Sequence, residues 1–573
     1  MNVSGLRLDR CKVIALACLL GLIITVASAP VAPAALPAGP TVTANGMVAS
    51  PEPFATDVGV AILEAGGNAF DATAAVHFAL AVTYPTAGNI GGGGFLVGLP
   101  AEAEPFALDF REAAPAAAAR DMYLDADGNM IDGLSTRTHK GVGVPGSVDG
   151  MLELVERYGN LSRQQVLAAA IRLARDGFPI SYRLSRGLRR SDKLRQFPAT
   201  VAAFGLHGDG PQMGAVLVQS DLANTLETVS REGRSGFYTG RVADLIVADM
   251  QAHDGLITLE DLEGYSVKWP DPLIFTHGDY EWITHPLPSS GGMTIAQMLG
   301  LLHVPTMQAA GYHSSEAISM VTEAQRLAFA DRNYWLGDPA FFDVPVARLT
   351  SSRYIERRRR LLPADGLAGD SDGVAHGQAE SEETTHYTVV DRWGNVAAVT
   401  TTLNSGYGMG AVANGAGFLW NNQMDNFSAK PGVPNQYGML GAEANAVEPG
   451  KRPLSSMTPS IIRRDGQFFM TVGSPGGPTI INTVLQIYLN VTVWGMDIQR
   501  AIDAARVHSQ WLPDLIYHER FAISAETQSE LWRMGYELRE RGAIGMAAGI
   551  MRTPEGYLAG HADRRGAGTA KGY

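Results

Sequence analysis

The chain has 573 residues, 46% hydrophobic and 18% charged, with a formal net charge of −13. That is more chain than one small core holds, in a globular balance of residue types. The acidic surplus disfavours nucleic acid as a partner, and the only basic run, the arginines at 357–360, reads as a solvated helix face.

Residues 1–29 read as a secretory signal peptide. Arg7, Arg10 and Lys12 form the charged start, residues 13–26 an apolar core short for a bilayer span, and Ala27-Ser28-Ala29 a small-residue cleavage site. Its removal takes the charge from −13 to −15. Both cysteines, Cys11 and Cys18, fall inside it, so the exported chain is expected to use no disulfide, no thiolate nucleophile and no cysteine-bound metal. The expected destination is the periplasm or the medium. Residues 30–45, rich in Ala and Pro, read as a linker, with order beginning near Met47.

Helices are predicted over 54–66 and 68–82, broken at Gly66-Gly67. Gly91-Gly92-Gly93-Gly94 follows a helix and enters a strand, the wrong order for a phosphate loop, and no GxxxxGK[ST] or GxGxxG pattern accompanies it. Close backbone packing is the expected reason for the run. Ser162-Arg163-Gln164-Gln165 fits a capping box for a helix to Asp176, with Gly177 as its stop. Further helix is predicted around 147–158, 221–265 and 314–336. Residues 361–383 are rich in Ala, Gly, Asp, Ser and Glu and suit a linker that is cut. Strands and tight turns follow, beginning with a hairpin of 385–390 and 396–402 around Asp391-Arg392-Trp393-Gly394. No internal repeat occurs. No HExxH occurs either, since His518-Glu519 lacks a second histidine, and neither metal nor cofactor is expected.

The hairpin begins Glu383-Thr384-Thr385-His386. Cleavage before Thr384 would place a free α-amine beside that residue's own hydroxyl. An α-amine titrates near pH ~8, so an appreciable fraction is unprotonated at neutrality and can serve as base. Nucleophile and base then belong to one residue. Read without its context, the same stretch is an ordinary hairpin. His386 shares the Thr384 face by strand alternation and is assigned a structural role.

Other segments accompany the threonine: Leu108-Asp109-Phe110-Arg111-Glu112-Ala113-Ala114-Pro115, Gly143-Val144-Pro145-Gly146, Pro288-Ser289-Ser290-Gly291-Gly292, Asn421-Asn422-Gln423-Met424-Asp425-Asn426-Phe427, Gly450-Lys451-Arg452-Pro453-Leu454-Ser455-Ser456-Met457, and Gly473-Ser474-Pro475-Gly476-Gly477. In this order they resemble the gamma-glutamyltranspeptidase (glutathione hydrolase) family, over residues 45 to 573. The resemblance implies an α+β fold, a four-layer αββα sandwich of the N-terminal nucleophile hydrolase type. It implies a precursor that cuts itself between Glu383 and Thr384 into a large subunit, 46–383, and a small subunit, 384–573, which stay together as a heterodimer.

It also implies roles. Thr384 attacks the γ-carbonyl of a glutamyl amide, and Thr402 orients the Thr384 amine. Gly476 and Gly477 offer N–H groups to the oxyanion. Arg111, Ser455 and Ser456 hold the α-carboxylate; an arginine fork suits that group. Asn404 and Gln423 face the α-ammonium, and Tyr437, in the loop 431–441, closes over the pocket. Glutathione and other γ-glutamyl compounds are the implied donors, and amino acids or dipeptides the acceptors. The chain departs from the pattern at Asn426, where the family normally carries an acid. A hydrogen bond to a charged group contributes about 1.5–3 kcal/mol, so a glutaryl or cephalosporin acylase on this scaffold is the alternative reading. Asp425 next to it is expected to point elsewhere. A non-catalytic binding protein is a third reading, disfavoured by the intact Glu383-Thr384-Thr385 junction and Thr402.

Overall fold

The computed structural model describes residues 39–363, 368–369, 384–433, 435–436 and 439–573. The expected signal segment, the linker up to 38, Glu383 and Tyr437 lie outside them.

Alternation along the strand Thr384–Val390 sets the layering. Tyr387 and Val389, with Ala397 and Val399 of the paired strand Val396–Thr402, join a core built with helices Pro53–Glu64, Ala69–Thr83, Ser147–Tyr158 and Arg163–Asp176. Val390, Val396 and Ala398 face the other way, onto Ile283, Ile461 and Ile550 of a second sheet. The outer face of that second sheet, with Trp282, Ile462, Met470 and Val472, packs on helices Gly291–Leu301, Ser315–Trp335 and Thr479–Thr492. Helices, sheet, sheet and helices thus form the four expected layers, each sheet buried on both faces.

Both sheets are antiparallel throughout. The first runs in space Thr569–Gly572, Met47–Ser50, Thr384–Val390, Val396–Thr402, Gly93–Leu99, Phe106–Asp109. The second runs Thr41–Thr43, Leu558–Ala562, Ala548–Arg552, Gln467–Gly473, Ser460–Arg464, Tyr280–Thr284, Leu273–His277. Strands from before and after residue 384 are interleaved in each. Cutting the chain ahead of Thr384 would leave every one of these pairings intact.

Local signals explain the element ends. Asn68 caps the helix Ala69–Thr83, with Asp71 completing a capping box, and Ser162 and Gln165 do the same for Arg163–Asp176. Gly177 ends the latter at φ 83°. One expectation fails. Within the predicted linker, Thr41–Thr43 forms an edge strand on Leu558–Ala562. Its Thr-Val-Thr sequence favours extended backbone, and the Thr41 hydroxyl donates to the Ala570 carbonyl at 3.0 Å.

The glycine run is packed on backbone, as expected. A Cβ on Gly91 would strike the Leu419 carbonyl, on Gly92 the Thr402 carbonyl, on Gly93 the Phe110 carbonyl and on Gly94 the Thr400 carbonyl. Backbone, unlike a side chain, cannot rotate away. Gly92→Ala should therefore cost about 1–3 kcal/mol or more and displace Thr402; thermal denaturation should show a lowered midpoint, and gel analysis a larger uncut fraction than wild type.

Candidate active site

Thr384 opens its strand and Thr402 ends the neighbouring one, and the two are direct register partners. Their hydroxyls lie 3.3 Å apart. Asn404 takes a left-handed φ of 76° just after the strand, and its N–H donates to the Thr402 hydroxyl at 2.8 Å. Thr384 and Thr402 are both buried and line a solvent-connected cleft. On the second sheet, the strand Gln467–Gly473 ends close by. The loop after it carries Gly476 and Gly477, at φ 132° and 54°, and leads into helix Thr479–Thr492. Gly477 lines the cleft; Gly476, next to it, is not among the lining residues. Neither N–H is taken by a hydrogen bond among the described residues. The φ of Gly476 suits glycine alone and that of Gly477 favours it, and the helix start adds a positive field.

Opposite the threonines is a knot of amides. Asn426 Oδ1 accepts from Arg111 Nη2 at 3.0 Å and from Gln423 Nε2 at 2.8 Å, while its Nδ2 donates to Asn404 Oδ1 at 2.6 Å. Asn426 therefore has both lone pairs of its oxygen filled. Gln423 Oε1, by contrast, is buried with no partner among the described residues, an acceptor that an ammonium group would satisfy. Residues 423–426 form a 3-10 turn. In it the Asp425 carboxylate turns to Ser135, whose hydroxyl donates at 2.8 Å. Burial pushes Asp425 up to about 6, against the opposing bonds from Ser135 and Gln436.

Arg111 is fully buried. It bonds the Pro453 carbonyl at 3.3 Å and pairs with Glu112 at 3.3 Å. Burial raises Glu112 to about 7 despite the Arg111 charge. Ser455 is clamped by Ser290, whose N–H and hydroxyl both donate to the Ser455 carbonyl at 2.7 Å. This gives the Pro288-Ser289-Ser290 motif its place. The Ser456 hydroxyl accepts from Arg332 Nη2 at 3.3 Å.

Arg332 was not singled out by sequence. It lines the cleft, donates also to the Ser290 hydroxyl (3.2 Å) and Asn333 Oδ1 (3.1 Å), and has no carboxylate within ion-pair distance among the described residues. Burial pulls its guanidinium down to about 9. A buried cation without a counter-charge is costly, and a substrate carboxylate at Ser455 and Ser456 would supply one. Helical phase carried the signal: the buried positions Val321, Ala324 and Ala328 of helix Ser315–Trp335 lead on to Arg332. Asn445, also missed, braces the floor by donating to the Asn426 carbonyl at 2.7 Å.

Thr384, Thr402, Asn404, Gln423, Asn426, Arg111, Ser455, Ser456 and Gly477 thus border one cleft. His386 lies on the same strand face as Thr384, bonded to Thr400 Oγ1 at 2.9 Å and packed on Gly473, and burial holds its imidazole down to about 3. It is neutral at working pH and engaged in the sheet.

A family model described as Gamma-glutamyltranspeptidase matches residues 55–573. The chain is 45% identical over 495 residues to the glutathione hydrolase proenzyme of Pseudomonas sp. strain A14, covering 86% of each chain. It is 43% identical over 526 residues to the glutathione hydrolase proenzyme of Escherichia coli K12, covering 91% of this chain and 90% of that one. The crystal structure of cephalosporin acylase from Bacillus halodurans superposes with a TM-score of 0.82 at 26% identity, over 95% of this chain and 99% of the other.

The Arg111–Glu112 pair makes the cleft sensitive to pH. Below about 7 the Glu112 carboxyl is neutral and the Arg111 charge is uncompensated; above it, Glu112⁻ competes with any bound carboxylate. The inhibition constant of glutarate, fully ionised in this range, should rise as pH passes through 7. The Glu112→Gln variant should lose that component of the profile.

Proposed function

The chain belongs to the gamma-glutamyltranspeptidase family, and from that premise we propose that it is an exported, self-processing enzyme that transfers γ-glutamyl groups through an ester on Thr384. The supporting observation is the Thr384–Thr402 hydroxyl pair at the open end between the two sheets. After cleavage the Thr384 amine takes the proton of its own hydroxyl, and Oγ1 attacks the γ-carbonyl carbon. The carbonyl oxygen gathers negative charge opposite the Gly476 and Gly477 N–H groups. Donors of this kind contribute about 3–4 kcal/mol each in related chemistry. The amine returns its proton to the departing nitrogen as the C–N bond breaks, leaving the Thr384 ester. Water then releases glutamate, or an acceptor amine takes the acyl group.

Arg111, Ser455, Ser456 and Arg332 give the α-carboxylate its positive end, and Gln423 Oε1 faces the α-ammonium. Glutathione and its conjugates are the donors this reading favours, with amino acids or dipeptides as acceptors, in a periplasmic or secreted heterodimer of 46–383 and 384–573.

Mass spectrometry of the purified protein should find two chains, the smaller starting at Thr384. Thr384→Ala should yield one uncut chain with turnover reduced by at least ~10³-fold. Continued cleavage in that variant would overturn the self-processing step.

A second reading, a glutaryl or cephalosporin acylase, is favoured by one observation. Asn426 carries no charge, and its oxygen is already filled by Arg111 and Gln423. An acyl group without an α-amine then loses less here than an acidic residue would make it lose. Asn426→Asp should raise the ratio of γ-glutamyl to glutaryl anilide kcat/KM by roughly 10- to 100-fold. An unchanged ratio would show that this position does not set the preference.

A further inference from the structure

Three donor groups outside the catalytic cleft converge at the end of helix Gly240–Ala252. Asp249 sits on its last turn and His253 directly follows it, at the i,i+4 spacing that puts both on one face. His139, on the turn His139–Gly141, packs against them from a distant part of the chain. His139 Nε2 is 3.4 Å from Asp249 Oδ2, and His253 Nδ1 is 3.5 Å from Asp249 Oδ1. All three donors lie within 4.8 Å of one another. A tetrahedral site with bonds of about 2.0–2.1 Å has ligand–ligand edges of about 3.4 Å, so two of the three edges already have that length.

Two further features mark the cluster. His139 Nε2 is buried and has no well-formed hydrogen bond among the described residues, its contact with Asp249 being a long approach of 3.4 Å. A buried nitrogen left so is costly unless something else takes its lone pair. Asp249 Oδ2 in turn accepts the Trp420 indole N–H at 2.7 Å, an outer partner of the kind that orients metal-binding carboxylates. The two imidazoles are stacked, centroids 4.4 Å apart and 8° from parallel, with edges on the same carboxylate. His253 is half exposed at 49% of its side chain. His253 Nδ1 is engaged at 2.9 Å with the Asp249 carbonyl, a contact the ring would give up to bind an ion with the other two donors. The exposed side leaves room for water as a fourth ligand.

We propose that His139, Asp249 and His253 bind one divalent transition-metal ion of the zinc class, with Trp420 holding the carboxylate. Two imidazoles and a carboxylate suit Zn²⁺, Co²⁺ or Ni²⁺ over Ca²⁺ or Mg²⁺. The ion would tie helix Gly240–Ala252 to the turn His139–Gly141. Through Trp420 it would also brace the segment that continues into Asn421, whose side chain bonds the Gly91 and Gly143 carbonyls at 2.8 Å, and Gln423. The site is structural or regulatory, apart from the chemistry at Thr384. No sequence motif announces it, because its ligands come from two separate segments.

The test uses the untagged, processed protein, freed of metal by chelator and dialysis, then titrated with Zn²⁺ by calorimetry and followed by thermal melting. Wild type should bind one equivalent and melt higher with Zn²⁺. His253→Ala removes the exposed ligand and Asp249→Asn keeps an acceptor for Trp420; each should bind at least ~10-fold more weakly and lose the melting shift. His253→Ala should melt like metal-free wild type without the ion, which separates lost binding from lost folding. No binding by wild type, or binding unchanged in His253→Ala, would overturn the proposal.

Discussion

The antiparallel register that sets Thr402 opposite Thr384 is the constraint on which the rest depends. Side-chain direction alternates along a strand, so a slip of one residue would turn the Thr384 hydroxyl into the helical core and present Thr385 instead. The register is held from both sides. Val396–Thr402 is paired with Gly93–Leu99 across its other edge, where glycines let backbone approach backbone. Asp391 closes the turn by accepting from the Trp393 and Asn395 N–H groups at 2.9 Å. The same Asp391 accepts from Ala69 N–H at 2.8 Å, tying the hairpin to the start of the buried helix Ala69–Thr83. The position of Thr384 is therefore a property of the whole first sheet.

Around that fixed point the site is built from buried polar groups that satisfy one another incompletely. Among the described residues, Arg111 has Glu112, whose Oε1 finds no partner, Arg332 has hydroxyls and an amide but no carboxylate, and Gln423 Oε1 has no partner. Unsatisfied buried groups are expensive in a folded protein; Gln423 and Arg332 both line the cleft, and Glu112 stands behind it through Arg111. Two cationic side chains on one side and an empty acceptor on the other describe a ligand with a carboxylate and, beside it, a hydrogen-bond donor. This complementarity is what the incomplete pairing has in common with an amino-acid head group.

Sequence patterns disclosed those parts that depend on local physics. The capping box at Ser162, the hairpin around 391–394 and the backbone-packed glycines all follow from neighbours in the chain. The parts that were not legible depend on distant partners. Thr41–Thr43 is a strand because Leu558–Ala562 is there to receive it. Arg332 has a readable helical phase, but its lack of a counter-charge is a fact of three dimensions. The 3-10 turn at Gln423–Asn426 is short, and it decides what Asn426 touches. Sequence showed that position to be neutral; only the fold shows its oxygen already bonded twice.

That last point bears on how selectivity works in this cleft. An acid at position 426 would bring a charge for the ammonium, and its two oxygens could serve Arg111 and the ligand together. An amide has one acceptor oxygen, and in this chain the scaffold consumes it. Asn426 thus acts chiefly as a spacer that keeps Arg111, Gln423 and Asn404 in register. On the proposed reading, recognition of an α-amine would fall to neutral acceptors, Gln423 Oε1 foremost. Neutral acceptors hold a cation less strongly than a carboxylate does. The carboxylate end would keep the Arg332 charge, and that of Arg111 to the extent that Glu112 is neutral. On that reading the balance of the site would tilt from the amine towards the carboxylate, the direction that would admit acyl groups carrying only the latter.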